Sequence, residues 1–217
     1  MKTEKTIHGL LTPDNFALVL IDYQPQMAFA VHSIDGQTLV NNAVGLAKAA
    51  KTFGVPTIIT SIAEKSFSGP TFSQILEVFP GVKTIDRTNM NLFEDARVVK
   101  AIEATGRKKI MLAGLWTEIC VALPTIDMIE KGYEIYVVAD ACGDVSDTAH
   151  DMAMQRMTQA GAVPVTWLQV LLELQRDWAR TGTYDAVMKI AKEHGGAYGI
   201  GIQYAKAMLV EPVKKAA

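Results

Sequence analysis

The chain alternates short, continuous apolar runs with longer stretches in which apolar residues recur every three or four positions. Residues 16–22 (Phe-Ala-Leu-Val-Leu-Ile-Asp) are apolar throughout and end on an acid, the pattern of a strand buried on both faces. Residues 57–61, 110–114, 134–140 and 162–166 also read as strands, and 83–87 as a short one. Helical spacing fills the gaps. It covers residues 39–53 (stopped by Gly54, with Pro56 beyond), 72–79 (stopped by Pro80-Gly81), 94–105 (closed by Gly106), 117–130 (ending at Gly132) and 147–160. In the last of these Asp147 is the expected cap and Gly161 the terminator. Pro124 predicts a kink or a late start in the 117–130 helix. A loop rich in Ser and Gly is expected at 66–70.

Strands separated by helices of this length predict an α/β fold with a mainly parallel sheet, right-handed crossovers and helices on both faces. In such sheets chemistry gathers beyond the carboxyl ends of the strands. Asp22, Arg87 and the turn before Cys120 all fall there, so three distant segments are expected to meet in one crevice. From residue 167 onward the pattern is helical only, over 168–178, 184–194 and 198–209. The last stretch is unusually apolar for a terminal helix (Ile200, Ile202, Tyr204, Met208, Leu209) and predicts packing on its own domain or on a neighbour. The expected organisation is a single domain over residues 1–180 and a helical extension over 181–217 suited to oligomer contacts.

Composition narrows the function. With 49% hydrophobic and 20% charged residues and a net charge of −2, the chain has the balance of a soluble globular protein. Neither nucleic acid nor an anionic membrane is an expected partner. No window approaches a membrane span, and residues 1–8 lack a signal-peptide core. Two cysteines without ligand spacing point to reduced thiols and a cytoplasmic location.

Cys120 is the foremost candidate. It follows a strand and a tight turn (Gly114-Leu-Trp-Thr-Glu) and sits in the first turn of a helix. There the helix dipole and unpaired N–H groups favour thiolate over thiol, and the same N–H groups can hold an oxyanion. Asp22 either caps the next helix or, beside a thiol, takes its proton and returns it to a leaving amine. Arg87 is either a solvated surface arginine or a cation that steadies the thiolate or grips a substrate carboxylate. Cys142 reads as structural. The four histidines show no metal spacing, and Gly199-Ile-Gly201 follows no strand, so no cofactor and no metal are expected.

Residues 18–24 (Leu-Val-Leu-Ile-Asp-Tyr-Gln), 87–93 and 113–121 (Ala-Gly-Leu-Trp-Thr-Glu-Ile-Cys-Val) together resemble the isochorismatase-like cysteine hydrolases, and most of all those of YcaC type. The resemblance covers about residues 14–180. It implies a flavodoxin-like three-layer α/β/α sandwich, an Asp–Lys–Cys triad and a homo-oligomer such as an octamer. Asp22 matches the acid, Cys120 the nucleophile, and Arg87 falls where most members have Lys. A guanidinium cannot shuttle protons, so its role there is electrostatic or orienting. The resemblance also implies a cis peptide at Leu115–Trp116 and an oxyanion site around Leu115, Trp116, Thr117 and Cys120. Residues 61–67 lack the Asp-x-His and further His that bind metal in the superfamily's nicotinamidases. Isochorismatase itself lacks the cysteine.

The expected function is metal-independent hydrolysis of a C–N bond in a small amide through a thioester. Phe29 and Trp116 are the expected walls of the substrate pocket. The alternative is an assembled scaffold or ligand-binding member of the family with vestigial catalysis.

Overall fold

The computed structural model describes residues 9–210. Six parallel strands form the sheet: β1 (Phe16–Ile21), β2 (Thr57–Ile62), β3 (Ile85–Arg87), β4 (Lys109–Gly114), β5 (Glu134–Val138) and β6 (Val163–Val165), in spatial order β3-β2-β1-β4-β5-β6. β1 lies at the centre and is buried at every position, because helices cover both faces of the sheet there. Ile21 pairs with Thr60 of β2 on one side and with Gly114 of β4 on the other.

One face is covered by α2 (Gly36–Thr52), α3 (Ser73–Val78), α7 (Trp167–Gln175) and α8 (Thr181–His194). The other carries α4 (Ala96–Ala104), α5 (Ala122–Glu130) and α6 (Asp147–Ala160). The result is a three-layer α/β/α sandwich, with α8 and α9 (Ala197–Ala205) as extra helices after the sheet is complete. Strand order reverses between β1 and β4. The chain therefore leaves these two neighbours toward opposite layers and opens a crevice at their carboxyl ends.

Differences from the sequence expectation are local. A short helix, α1 (Pro25–Phe29), follows β1 where none was expected. α2 starts at Gly36, ahead of the expected residue 39, because the Asp35 carboxylate accepts the Thr38 N–H and supports a polar first turn that apolar spacing cannot reveal. In α6 the cap is Ser146, whose Oγ accepts the Ala149 N–H; Asp147 is the first helical residue and not the cap. Gly161 terminates that helix as expected, at φ +109°. α5 begins late, at Ala122. The residues before it form a wider turn over Thr117–Val121, because Pro124 lacks the N–H that a regular α-helix begun at Thr117 would bond to the Cys120 carbonyl. The segment expected as a loop at 66–70 lies partly in a similar wide turn, Glu64–Ser68. α7 stops at Gln175, short of residue 178, where the Gln175 side chain donates to the carbonyls of Asp177 and Arg180.

Among the described residues no helix is long and apolar enough to cross a membrane.

Candidate active site

Asp22 is the first residue after β1. It adopts φ +55°, a left-handed conformation that Asp tolerates better than most residues, and so turns out of the sheet at its carboxyl edge. Its carboxylate is wholly buried. Oδ2 accepts from Arg87 Nη2 at 2.5 Å and Oδ1 from the Thr60 hydroxyl at 3.1 Å.

Arg87 ends β3, two strands away from β1, a gap of about 10 Å between strand axes. Only a long side chain crosses it. Nη1 donates to the Asn89 carbonyl, which holds the guanidinium from its own loop, and the side chain is buried along with Asp22. The surface-arginine and helix-cap readings of these residues are thereby excluded.

Cys120 completes the cluster from the neighbouring strand. β4 ends at Gly114, the Leu115–Trp116 peptide bond is cis, and the Thr117–Val121 turn brings the thiol against both Asp22 and Arg87. Close approach of β4 to β1 depends on Gly114: a Cβ there would collide with the carbonyl oxygen and Cβ of Ile21. Cys120 is 2% exposed.

The electrostatics correct the expectation of a resting thiolate. Burial, followed by the charge of Asp22, pushes the Cys120 thiol up to about 12, against the smaller opposing pull of Arg87. The thiol does lie in the first turn of a continuous helical segment, a widened π-type turn over Thr117–Val121 that runs straight into α5, so burial outweighs the pull of that helix end. Burial likewise raises the Asp22 carboxyl above the usual carboxylate range, while Arg87, Cys120 and Thr60 favour its charged form. The cluster therefore sets a neutral thiol beside the buried Asp22–Arg87 salt bridge.

The oxyanion set is also narrower than expected. The N–H of Leu115 donates to Ile21 O at 3.1 Å and that of Thr117 to Gly143 O at 3.1 Å. Both donors are committed, so neither can hold an oxyanion; Trp116 and Cys120 remain from the expected group. Trp116 is half-buried, and its Nε1 donates to Met27 O at 2.8 Å, tying the cis-peptide turn to α1. Phe29, at the end of α1, is 80% exposed, so within one chain it lies on the surface and encloses nothing.

Several residues at the site carried no sequence signal. Gln24 is buried and grips the Ile62 N–H and the carbonyls of Ile62 and Gly69, fixing the loop after β2 against the segment after Asp22. Asp144, also buried, accepts the Glu118 N–H at 2.7 Å and so holds the nucleophile turn. Only contact reveals its target. Cys142 is a second free, buried thiol, pushed up to about 12 chiefly by burial.

A buried acid, a guanidinium and a thiol at the switch point of a parallel sheet define a class of site, and comparison places it in a family. The isochorismatase domain family model matches residues 16–169, and the chain belongs to that family. It is 37% identical over 169 residues to the probable hydrolase YcaC of Escherichia coli, covering 77% of this chain and 81% of that protein. The E. coli YcaC structure, an octameric hydrolase of unknown specificity, superposes with a TM-score of 0.88 at 33% identity, over 93% of this chain and 98% of that one. YcaC from Pseudomonas aeruginosa, solved with hexane-2,5-diol and covalent acrylamide, gives 0.87 at 34% identity, over 91% and 97% of the two chains.

Proposed function

We propose that this protein is a cysteine hydrolase that cleaves the C–N bond of a small amide without a metal, with Asp22, Arg87 and Cys120 as its catalytic group. The observation that carries this reading is a nucleophilic side chain packed against a buried acid–guanidinium pair at the sheet's switch point.

The chemistry follows from the charges. Sulfur attacks the substrate carbonyl carbon as Asp22 takes its proton, so no free thiolate need accumulate. The carbonyl electron pair moves to oxygen, held by the N–H groups of Trp116 and Cys120. Asp22 then gives its proton to the amine nitrogen as the C–N bond breaks, leaving a thioester on Cys120. Water, deprotonated by Asp22, attacks the thioester carbon; the C–S bond breaks, the carboxylic acid leaves, and Asp22 returns the proton to sulfur. Arg87 moves no proton. Its fixed charge keeps Asp22 ionised despite burial and offsets negative charge as it develops. The acrylamide bound covalently in the P. aeruginosa relative is an electrophile that adds to nucleophiles through its vinyl carbon, so it supports a reactive nucleophile in this family.

The octameric state of the E. coli relative supports a homo-oligomer here as well. We assign the contact to α9 and the wide turn after it (Lys206–Val210), part of the helical extension after the 1–180 domain, because Ile200, Tyr204, Met208 and Leu209 project from the described surface.

A screen of small amides, hydroxamates and ureas for release of ammonia or acid, with Cys120→Ser as control, tests the function. Turnover lost in the variant supports it, and turnover retained there rules it out. The scaffold reading draws on one observation, the thiol raised to about 12 at 2% exposure. It predicts no turnover of any such compound and no selective labelling of Cys120.

A further inference from the structure

The turn that carries the nucleophile is gripped from one side by a single stretch of chain, residues 143–150. Gly143 O accepts the Thr117 N–H at 3.1 Å, and Asp144 Oδ2 accepts the Glu118 N–H at 2.7 Å. His150, in the first turn of α6, places Nδ1 2.9 Å from the Thr117 hydroxyl. Thr117 is wholly buried, and it is the residue between the cis-peptide partner Trp116 and the turn bearing Cys120. Its backbone hydrogen and its hydroxyl are thus both engaged by the same segment. The stretch is itself anchored: the Ser33 Oγ accepts the Asp144 N–H, Ser146 caps α6, and a Cβ on Gly143 would press on Val31, Leu115 and Ile34.

We propose that His150 is a positioning residue for the nucleophile: through the Thr117 hydroxyl it sets where the Trp116–Cys120 turn places the thiol and the oxyanion N–H groups. The inference rests on the cysteine-hydrolase reading above. Among the described residues no histidine hydrogen-bonds to Asp22, Arg87 or Cys120, which is why spacing patterns for Cys–His pairs or metals did not find it. Burial keeps the His150 ring below its ordinary value, against the opposing pull of Asp151, Asp144 and Asp147, so a neutral ring meets the hydroxyl. A hydrogen bond of this kind is enough to hold a short turn in one of two arrangements, and an ångström of misplacement slows such reactions by one to two orders of magnitude.

The test labels the full-length protein with acrylamide and follows Cys120 and Cys142 separately by peptide mass spectrometry. In His150→Leu, Cys120 labelling slows about tenfold while Cys142 stays protected. His150→Asn, which keeps a polar atom near the place of Nδ1, recovers most of the rate. Thr117→Val matches His150→Leu, and the double variant is no slower than either single one, because both remove one shared interaction. A merely structural role predicts the opposite sign, since loosened folding exposes both thiols and speeds labelling at each. Faster labelling at both sites, wild-type rates in His150→Leu, or additive losses each overturn the inference and leave the nucleophile assignment standing. Failure of wild-type Cys120 to label ahead of Cys142 brings down that assignment and the inference together.

Discussion

The crevice at the ends of β1, β3 and β4 and the outer face of α9 are opposite solutions to the same problem of burial. At the crevice, polar groups lie inside and nearly every one has a partner: Asp22 meets Arg87 and Thr60, Gln24 meets Ile62 and Gly69, and Asp144 meets Glu118. On α9 and the wide turn that continues it (Lys206–Val210), apolar groups lie outside, with Leu209 at 84% exposure and Ile200, Tyr204 and Met208 also uncovered. Satisfied burial fixes atoms to fractions of an ångström, as chemistry requires. Uncovered apolar surface needs only area, which a second surface can supply.

Experiments can break this contrast, beginning with the strongest. Cys120→Ser abolishes amide turnover and acrylamide labelling at that position with little change in Tm; retained turnover would remove the crevice from the chemistry. Arg87→Met leaves the Asp22 charge buried and unpaired, and should destabilise the fold by about 3–5 kcal/mol in urea unfolding. A loss below 1 kcal/mol would mean the pair is not buried in solution. Gly114→Ala forces β4 away from Ile21 and should cost about 1–3 kcal/mol by the same measurement, with slower labelling of Cys120.

The pH profile sharpens the electrostatic half. Cys120 stays protonated until pH approaches about 12, so its labelling rate should keep rising past pH 10 without the inflection near 8.5 of a free thiol. Asp22→Asn removes the charge that raises the thiol, so any inflection should move to lower pH. On the other region, Tyr204→Asp should change monomer stability by only about 0.5 kcal/mol or less while reducing the assembled mass in light scattering. An unchanged mass would take α9 out of the subunit contact.

What could be read from the chain, and what could not, follows the range of the forces involved. Strands β1, β4 and β5 were legible because a strand buried on both faces is a near-continuous apolar run, and β2 because its Thr and Ile residues are β-branched. Gly161 and Gly54 marked helix ends because left-handed backbone at those points is cheap only for glycine. The starts of α2 and α6 were misplaced by three residues and one, since capping depends on which neighbouring side chain reaches the N–H. Asp22, Arg87 and Cys120 stood out by type and by place at strand ends, yet their ionisation did not. A helix dipole was expected to lower the thiol, and the surrounding burial, a sum over many segments, outweighs it.

The order of apolar and polar residues by itself determined a parallel sandwich, its crevice and the three side chains facing it, because periodicity and strand ends are local properties. Tertiary packing alone decided that the thiol rests protonated, that Thr117 donates to Gly143 and not to substrate, and that His150 stands behind the turn. Each of those depends on atoms brought together from separate segments of the chain, and hydrogen bonding and desolvation act only across such contacts.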